Sequence, residues 1–169
     1  MNRVGVGLSK ETDPDLAIAE VINSAVTEAQ LPEVNWALIF FTEEHFVHAG
    51  RLHELILEKT QCECITGCSG MGVISHEEEI TNGPGLVLMA GYTPEIRPLA
   101  LAKYQELEYS AGVTQQLSEA LNDFSEEQPL FFFFPDVFQH QPHNFINMFN
   151  FLNNKTAIFG AGSCNHGSQ

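Results

Sequence analysis

The chain has 169 residues, 44% hydrophobic and 17% charged, the length and composition of a single folded domain with a sizeable core rather than of a disordered tail. Its formal charge of -15, from 22 acidic and 7 basic residues, repels polyanions and leaves too few lysines and arginines to neutralise phosphates, which excludes nucleic acid as a partner. No apolar run reaches the ~20 residues that span a bilayer and MNRVGVGLSK carries no apolar leader, so no membrane is expected, the location is expected to be cytoplasmic, and Cys62, Cys64, Cys68 and Cys164 are expected to be reduced thiols.

RVGVGLS alternates apolar and small residues and reads as a first strand. A helix follows, with Thr12 or Asp13 as its N-cap, Pro14 in its first turn, and Leu16, Ile18, Ala19, Ile22 and Val26 near helical spacing. NWALIFF is an unbroken apolar strand over 35–41, of the kind buried on both faces, and Thr42 is placed to cap a helix over 43–59 with Phe46, Ala49, Leu52, Leu55 and Ile56 on one stripe. CECITG predicts the next strand, ending at 67. An acidic segment, a turn at Asn82 to Gly85 and the apolar strand LVLMAG come next, with EIRPLALAKYQEL as an extension and a helix carrying Val113, Leu117, Leu121 and Phe124. PLFFFFPD predicts a strand over 129–134, with a helix broken near Pro142 and a last strand over 156–160.

A gap-free overlay matches Phe40 with Phe133, Leu52 with Phe145, Ile65 with Ile158 and Gly67 with Gly160, which suggests an internal duplication. The expected fold is therefore α/β: a mixed, mostly parallel sheet covered by helices, with two duplicated strand-helix-strand units and an antiparallel segment between them. Four adjacent phenylalanines, Phe131 to Phe134, would need cover on both faces of that sheet to be buried together.

GCSG and GAGS each fall just after the second strand of a unit, where open α/β sheets collect ligands. Gly67, Cys68, Ser69, Gly160, Gly162 and Ser163 are accordingly the candidate ligand-binding residues, offering backbone N–H groups to a carboxylate or other anion; glycines that only make tight turns are the plainer reading. Catalytic motifs fail here. GCSGM has Met71 where a nucleophile elbow needs glycine, no lysine completes a phosphate loop, and glycines at 67, 70 and 72 break the dinucleotide spacing. The spacing of Cys62, Cys64 and Cys68, even with Cys164 and His166, is not that of a zinc site, so no metal and no cofactor is expected. Cys68 at a strand end leaves a thiol-dependent enzyme as the alternative, although His45, His48, His53 and His76 are candidate bases by proximity in sequence alone.

VGVGLSKETDPDLAIAEV leading to WALIFFTEEH, then ITGCSGMGVI and GPGLVLMAG, resembles the N-terminal half of the FIST domain, a sensory domain of bacterial signalling proteins and eukaryotic F-box proteins. The resemblance runs in order through residues 1–169 and implies one FIST N-terminal-like domain that binds a small molecule, an amino acid for example, and passes its occupancy to an output partner. It implies a sensor rather than a catalyst. Because such domains continue past the second glycine-rich turn, it also implies that the chain ends before a C-terminal half.

Overall fold

A computed structural model describes residues 3–94, 96, 111–122, 130–135, 142–152 and 157–163. These fall into two units, one reaching to Ile96 and the other running from Ala111 to Ser163.

The first unit contains β1 (Arg3–Ser9), α1 (Pro14–Ile22), β2 (Trp36–Phe41), α2 (Ala49–Thr60), β3 (Ile65–Ser69), the short pair β4 (Val73–Ile74) and β5 (Glu79–Ile80), and β6 (Leu86–Tyr92). Its four-stranded sheet has the order β1-β6-β2-β3. The fold is mixed α/β, but the expectation of a mostly parallel sheet is corrected: β6 is antiparallel to both β1 and β2, and only β2 and β3 pair in parallel. The physical reason is where LVLMAG goes. β1, β2 and β3 all run the same way, as strands separated by helices should, and β6 enters between two of them in the opposite direction.

Register sorts the side chains by face. Gly5, Gly7 and Ser9 align through Ala90, Leu88 and Leu86 with Ala37, Ile39 and Phe41, and these with Ile65, Gly67 and Ser69. This face packs against Ala17, Ile18, Val21 and Ala25 of the first helical segment and Leu52, Leu55 and Ile56 of α2. Each large aliphatic chain enclosed there contributes about 1.5–3 kcal/mol. The opposite face, with Val6, Leu8, Phe40 and Val87, is covered by Val73 and Ile80 of the β4–β5 pair.

The GVG of β1 exists for packing. A Cβ on Gly5 would lie 1.8 Å from the Ala25 carbonyl oxygen, and one on Gly7 would lie 2.3 Å from that of Val21. The helix thus rests directly on the strand backbone. This close approach shifts its buried stripe from the predicted one: Ala17, Val21 and Ala25 face the sheet, while Leu16 is 56% exposed. Asp13 is the N-cap, accepting hydrogen bonds from the N–H groups of Asp15 and Leu16. Beyond α1 the chain widens into a π-helix, Asn23–Glu28.

The second unit contains α3 (Ala111–Asn122), β7 (Leu130–Phe133), α4 (Pro142–Leu152) and β8 (Ala157–Gly160), with β7 and β8 parallel. Phe131 and Phe133 point toward a core of Leu117, Leu121, Phe145 and Phe149, where Phe133 stacks on Phe145 at 4.0 Å. Strand alternation sends Leu130 and Phe132 the other way. Together with Phe159, in register with Phe132, they are 51%, 53% and 58% exposed, so this two-stranded sheet is covered on one face only among the described residues. EIRPLALAKYQEL, apart from Ile96, and Phe124 lie outside the described residues, as does the side chain of Val113.

Both units contain a parallel strand pair with a helix between the strands. Gly67 pairs with Ile39 and Gly160 with Phe133, whereas the gap-free overlay matched Gly160's partner to Phe40. In terms of strand pairing the overlay is off by one residue on the first strand.

Candidate functional site

Because β1, β2 and β3 share a direction, the residues at their carboxyl ends gather on one edge of the sheet. Ser9, at the end of β1, stands in the same row as Ser69, at the end of β3. Thr42 follows the last residue of β2 and leads into a 3-10 turn, Glu43–His48, that carries His45. Ser9, Thr42, His45 and Ser69 are 1%, 3%, 0% and 5% exposed, and they are the fully buried polar side chains among the described residues. All four lie at or just beyond this edge.

Hydroxyl hydrogen bonds hold much of the arrangement. The Thr42 hydroxyl donates to the Gly83 carbonyl at 3.1 Å and accepts from the Gly85 N–H at 2.9 Å, pinning the turn before β6 to the end of β2. It therefore does not cap the following turn as the sequence suggested; no side-chain capping bond forms there. The Ser9 hydroxyl donates to the Glu20 carboxylate and accepts from the Glu11 N–H. His45 differs. Its backbone N–H donates to the Thr42 carbonyl at 3.1 Å, but neither Nδ1 nor Nε2 has a hydrogen-bond partner in the structure. Burial lowers its pKa below the ordinary 6.5 and keeps the ring neutral; the Glu11 backbone, close by but outside hydrogen-bond geometry, and Glu44 oppose this, while His48 adds to it.

Two residues expected in a loop are in a strand. The β3 ladder runs on to Ser69, and the Gly70 N–H continues it by donating to the Phe41 carbonyl at 2.9 Å. Alternation therefore separates neighbours: Gly67 and Ser69 face the helices, and Cys68 faces the β4–β5 side beside Phe40. At Gly67 the backbone has φ +153°, and a Cβ there would lie 1.7 Å from the Ile39 carbonyl oxygen. Gly160 is built alike, with a Cβ position 1.7 Å from the Phe133 carbonyl oxygen. These glycines admit a neighbouring strand. In the second unit Gly160 and Gly162 are exposed, and Ser163 is tied back to the Pro135 carbonyl through its N–H at 2.9 Å and its hydroxyl at 3.2 Å.

Cys62 and Cys64 are thiols whose pKa values burial raises, which makes them poorer nucleophiles at neutral pH. His53 and His76 are exposed, the latter 3.6 Å from the Glu77 carboxylate. An open cleft of about 290 Å³ lies beside the β4–β5 pair, lined by Lys10, Glu78, Thr81, Asn82 and Pro84 among others, with Lys10 paired to Glu78 across it. From sequence, His45 is only one of four candidate bases by proximity in the chain, and Thr42 only a helix cap. The available signal was positional: each polar residue sits at or just after the carboxyl end of a strand.

The lowered pKa of His45 has a consequence for stability. The unfolded chain takes up a proton near pH 6.5 and the buried ring does so only at lower pH, so stability is complete above 6.5 and falls as pH drops below it. Urea unfolding followed by the fluorescence of the single tryptophan, Trp36, should show a loss of at most ~1 kcal/mol between pH 6.5 and 5.5, and His45→Phe should flatten it. A pH-independent midpoint over that interval would mean that His45 protonates freely in the native state.

The family model described as the FIST N domain matches residues 35–169, from the strand β2 to the end of the chain. No curated protein matches the chain.

Proposed function

This chain belongs to the FIST N domain family, and on that premise we propose that it is the ligand-sensing module of a cytoplasmic signal-transduction protein, occupied by a small molecule of the amino-acid class and read by an output partner or a C-terminal half. The family is one of sensory domains rather than of enzymes. The observation that carries the ligand-binding part is the gathering of buried polar side chains at the carboxyl edge of β1, β2 and β3 in a sheet whose helix face is otherwise apolar. Polar groups cost free energy to bury, and a fold that concentrates them at one strand edge has kept them for recognition.

Ser69 contributes directly at that edge, Gly67 and Cys68 shape the strand that presents it, and Gly160, Gly162 and Ser163 form the corresponding turn of the second unit. The two strand-helix-strand units descend from one duplicated ancestor, a reading supported by the equal crowding of Gly67 and Gly160 against the partner strand. No helix among the described residues is long and apolar enough to cross a membrane.

The test is a thermal-shift and calorimetric screen of the amino acids against the whole chain. A ligand at a hundred times its Kd should stabilise the protein by about 2.7 kcal/mol. Complete indifference to the panel would remove the amino-acid class. Mild alkylation run in parallel addresses the thiol-enzyme alternative, since rapid loss of Cys68 at neutral pH would mark an activated nucleophile.

A further inference from the structure

His45 is the most anomalous side chain in the first unit. A fully buried imidazole ordinarily donates from one ring nitrogen and accepts at the other, and here both lack partners. The nearby hydroxyls do not serve it, because Ser9 is engaged with Glu20 and Glu11, and Thr42 with Gly83 and Gly85. Trp36 Nε1 is also unpartnered, but it sits at the other end of β2, on a residue that is only half-buried.

The element carrying His45 is lightly held. Within Glu43–His48 only His45 is fully buried; Phe46 is 40% and Val47 82% exposed, and the turn has no side-chain cap. One fully buried side chain on a short 3-10 segment of two turns is what a movable cover consists of. It starts directly after Thr42, at the same carboxyl edge as the buried Ser9 and Ser69.

The surrounding charge selects the ligand. Glu11, Glu43 and Glu44 are exposed around the turn, and Glu20 reaches Ser9. The N–H groups at the start of α1 that could have attracted an anion are already taken by Asp13. A neutral ring within an acidic rim offers a lone pair to a cationic donor.

We propose that Glu43–His48 covers a binding site at the carboxyl edge of β1, β2 and β3, and that His45 recognises the primary ammonium group of a small molecule by accepting a hydrogen bond from it. This rests on the sensor reading and gives its ligand a point of attachment. An amino acid and a simple amine share that chemistry, and the experiment separates them.

The probes are glycine, alanine and leucine, their N-acetyl derivatives, and methylammonium, titrated calorimetrically into the whole chain and into His45→Phe and His45→Gln. His45→Phe keeps the ring shape and removes both unsatisfied nitrogens, so it should unfold at a temperature equal to or above that of the unaltered protein. It should lose at least roughly tenfold in affinity for the ammonium-bearing probe, and His45→Gln, which keeps an acceptor, should retain more. N-acetylation should abolish binding. Binding of methylammonium alone would assign the site to amines, whereas a requirement for the carboxylate would assign it to amino acids. Amino-acid binding unchanged in both His45 variants overturns this inference and leaves the sensor reading intact; no binding of any probe overturns both. Should His45→Phe fail to fold, the comparison of His45→Gln with the unaltered chain decides alone.

Discussion

Replacing Gly67 by valine should unfold the first unit rather than merely empty a ligand site, with a loss of about 3 kcal/mol or more. The valine Cβ would occupy a position 1.7 Å from the Ile39 carbonyl oxygen, at a backbone angle of φ +153° that side-chain-bearing residues rarely adopt. Neither obstacle is the end of a flexible side chain. The carbonyl belongs to β2, so relief requires the parallel ladder from Ala37 to Ser69 to separate. Urea unfolding read by Trp36 fluorescence measures the loss, and Gly67→Ala should show most of it, because the collision begins at the Cβ. From sequence, a side chain at 67 is expected to obstruct a ligand and spare the fold. A Gly67→Val protein with an unchanged midpoint and no amino-acid binding would restore that picture and make the observed crowding irrelevant.

Phe149→Ala should cost the second unit about 3–5 kcal/mol, the range for removing a fully enclosed aromatic ring. Phe149 is 0% exposed, meets Phe131 edge-on at 4.9 Å and lies 6.2 Å from Phe145. It belongs to a cluster with Leu117, Leu121 and Phe145, against which Phe131, Phe133, Met148, Leu152 and Ile158 pack, so its removal leaves a cavity inside that cluster. Phe132→Ala, on the face of the same two strands that no described residue covers, should change stability by less than ~1 kcal/mol. Denaturant unfolding of the two variants, followed by circular dichroism, gives the comparison. Equal effects would mean that the outer face is as closed as the inner one.

Much of the fold could be read from local pattern. The helix start at Asp13 and Pro14, the buried stripe Leu52, Leu55 and Ile56, and the strands around Trp36–Phe41 and Leu130–Phe133 follow from capping chemistry and apolar spacing, which are properties of neighbouring residues. What escaped was set by distant partners. Nothing within LVLMAG states that it will slide between two strands, so the sheet's mainly antiparallel pairing could not be inferred from strand-helix alternation. The small-residue face of α1 depends likewise on Gly5 and Gly7, which resemble half of a dinucleotide fingerprint until a helix is seen lying on them. At the candidate site, Ser69 reads from sequence as a loop residue just past a strand ending at 67, and the strand instead runs on to include it. The convergence of Ser9, Thr42 and His45 was not legible, because it joins the carboxyl ends of β1 and β2, Ser9 and Phe41, which are far apart in the chain and separated in the sheet by a third strand.

The outer face of β7 and β8, uncovered among the described residues, bears on how the molecule behaves in company. Among the described residues nothing covers Leu130, Phe132 and Phe159, which offer one copy an apolar patch for another, while a charge of -15 holds copies apart. Those two influences have different ranges. Repulsion between molecules is cut off at about 10 Å in 0.1 M salt and about 3 Å in 1 M salt, whereas attraction between apolar surfaces does not fade with added salt. Colloidal stability of this protein is therefore a property of its buffer as much as of its sequence: dilute electrolyte keeps it dispersed, and concentrated electrolyte removes the barrier that keeps its phenylalanines from meeting.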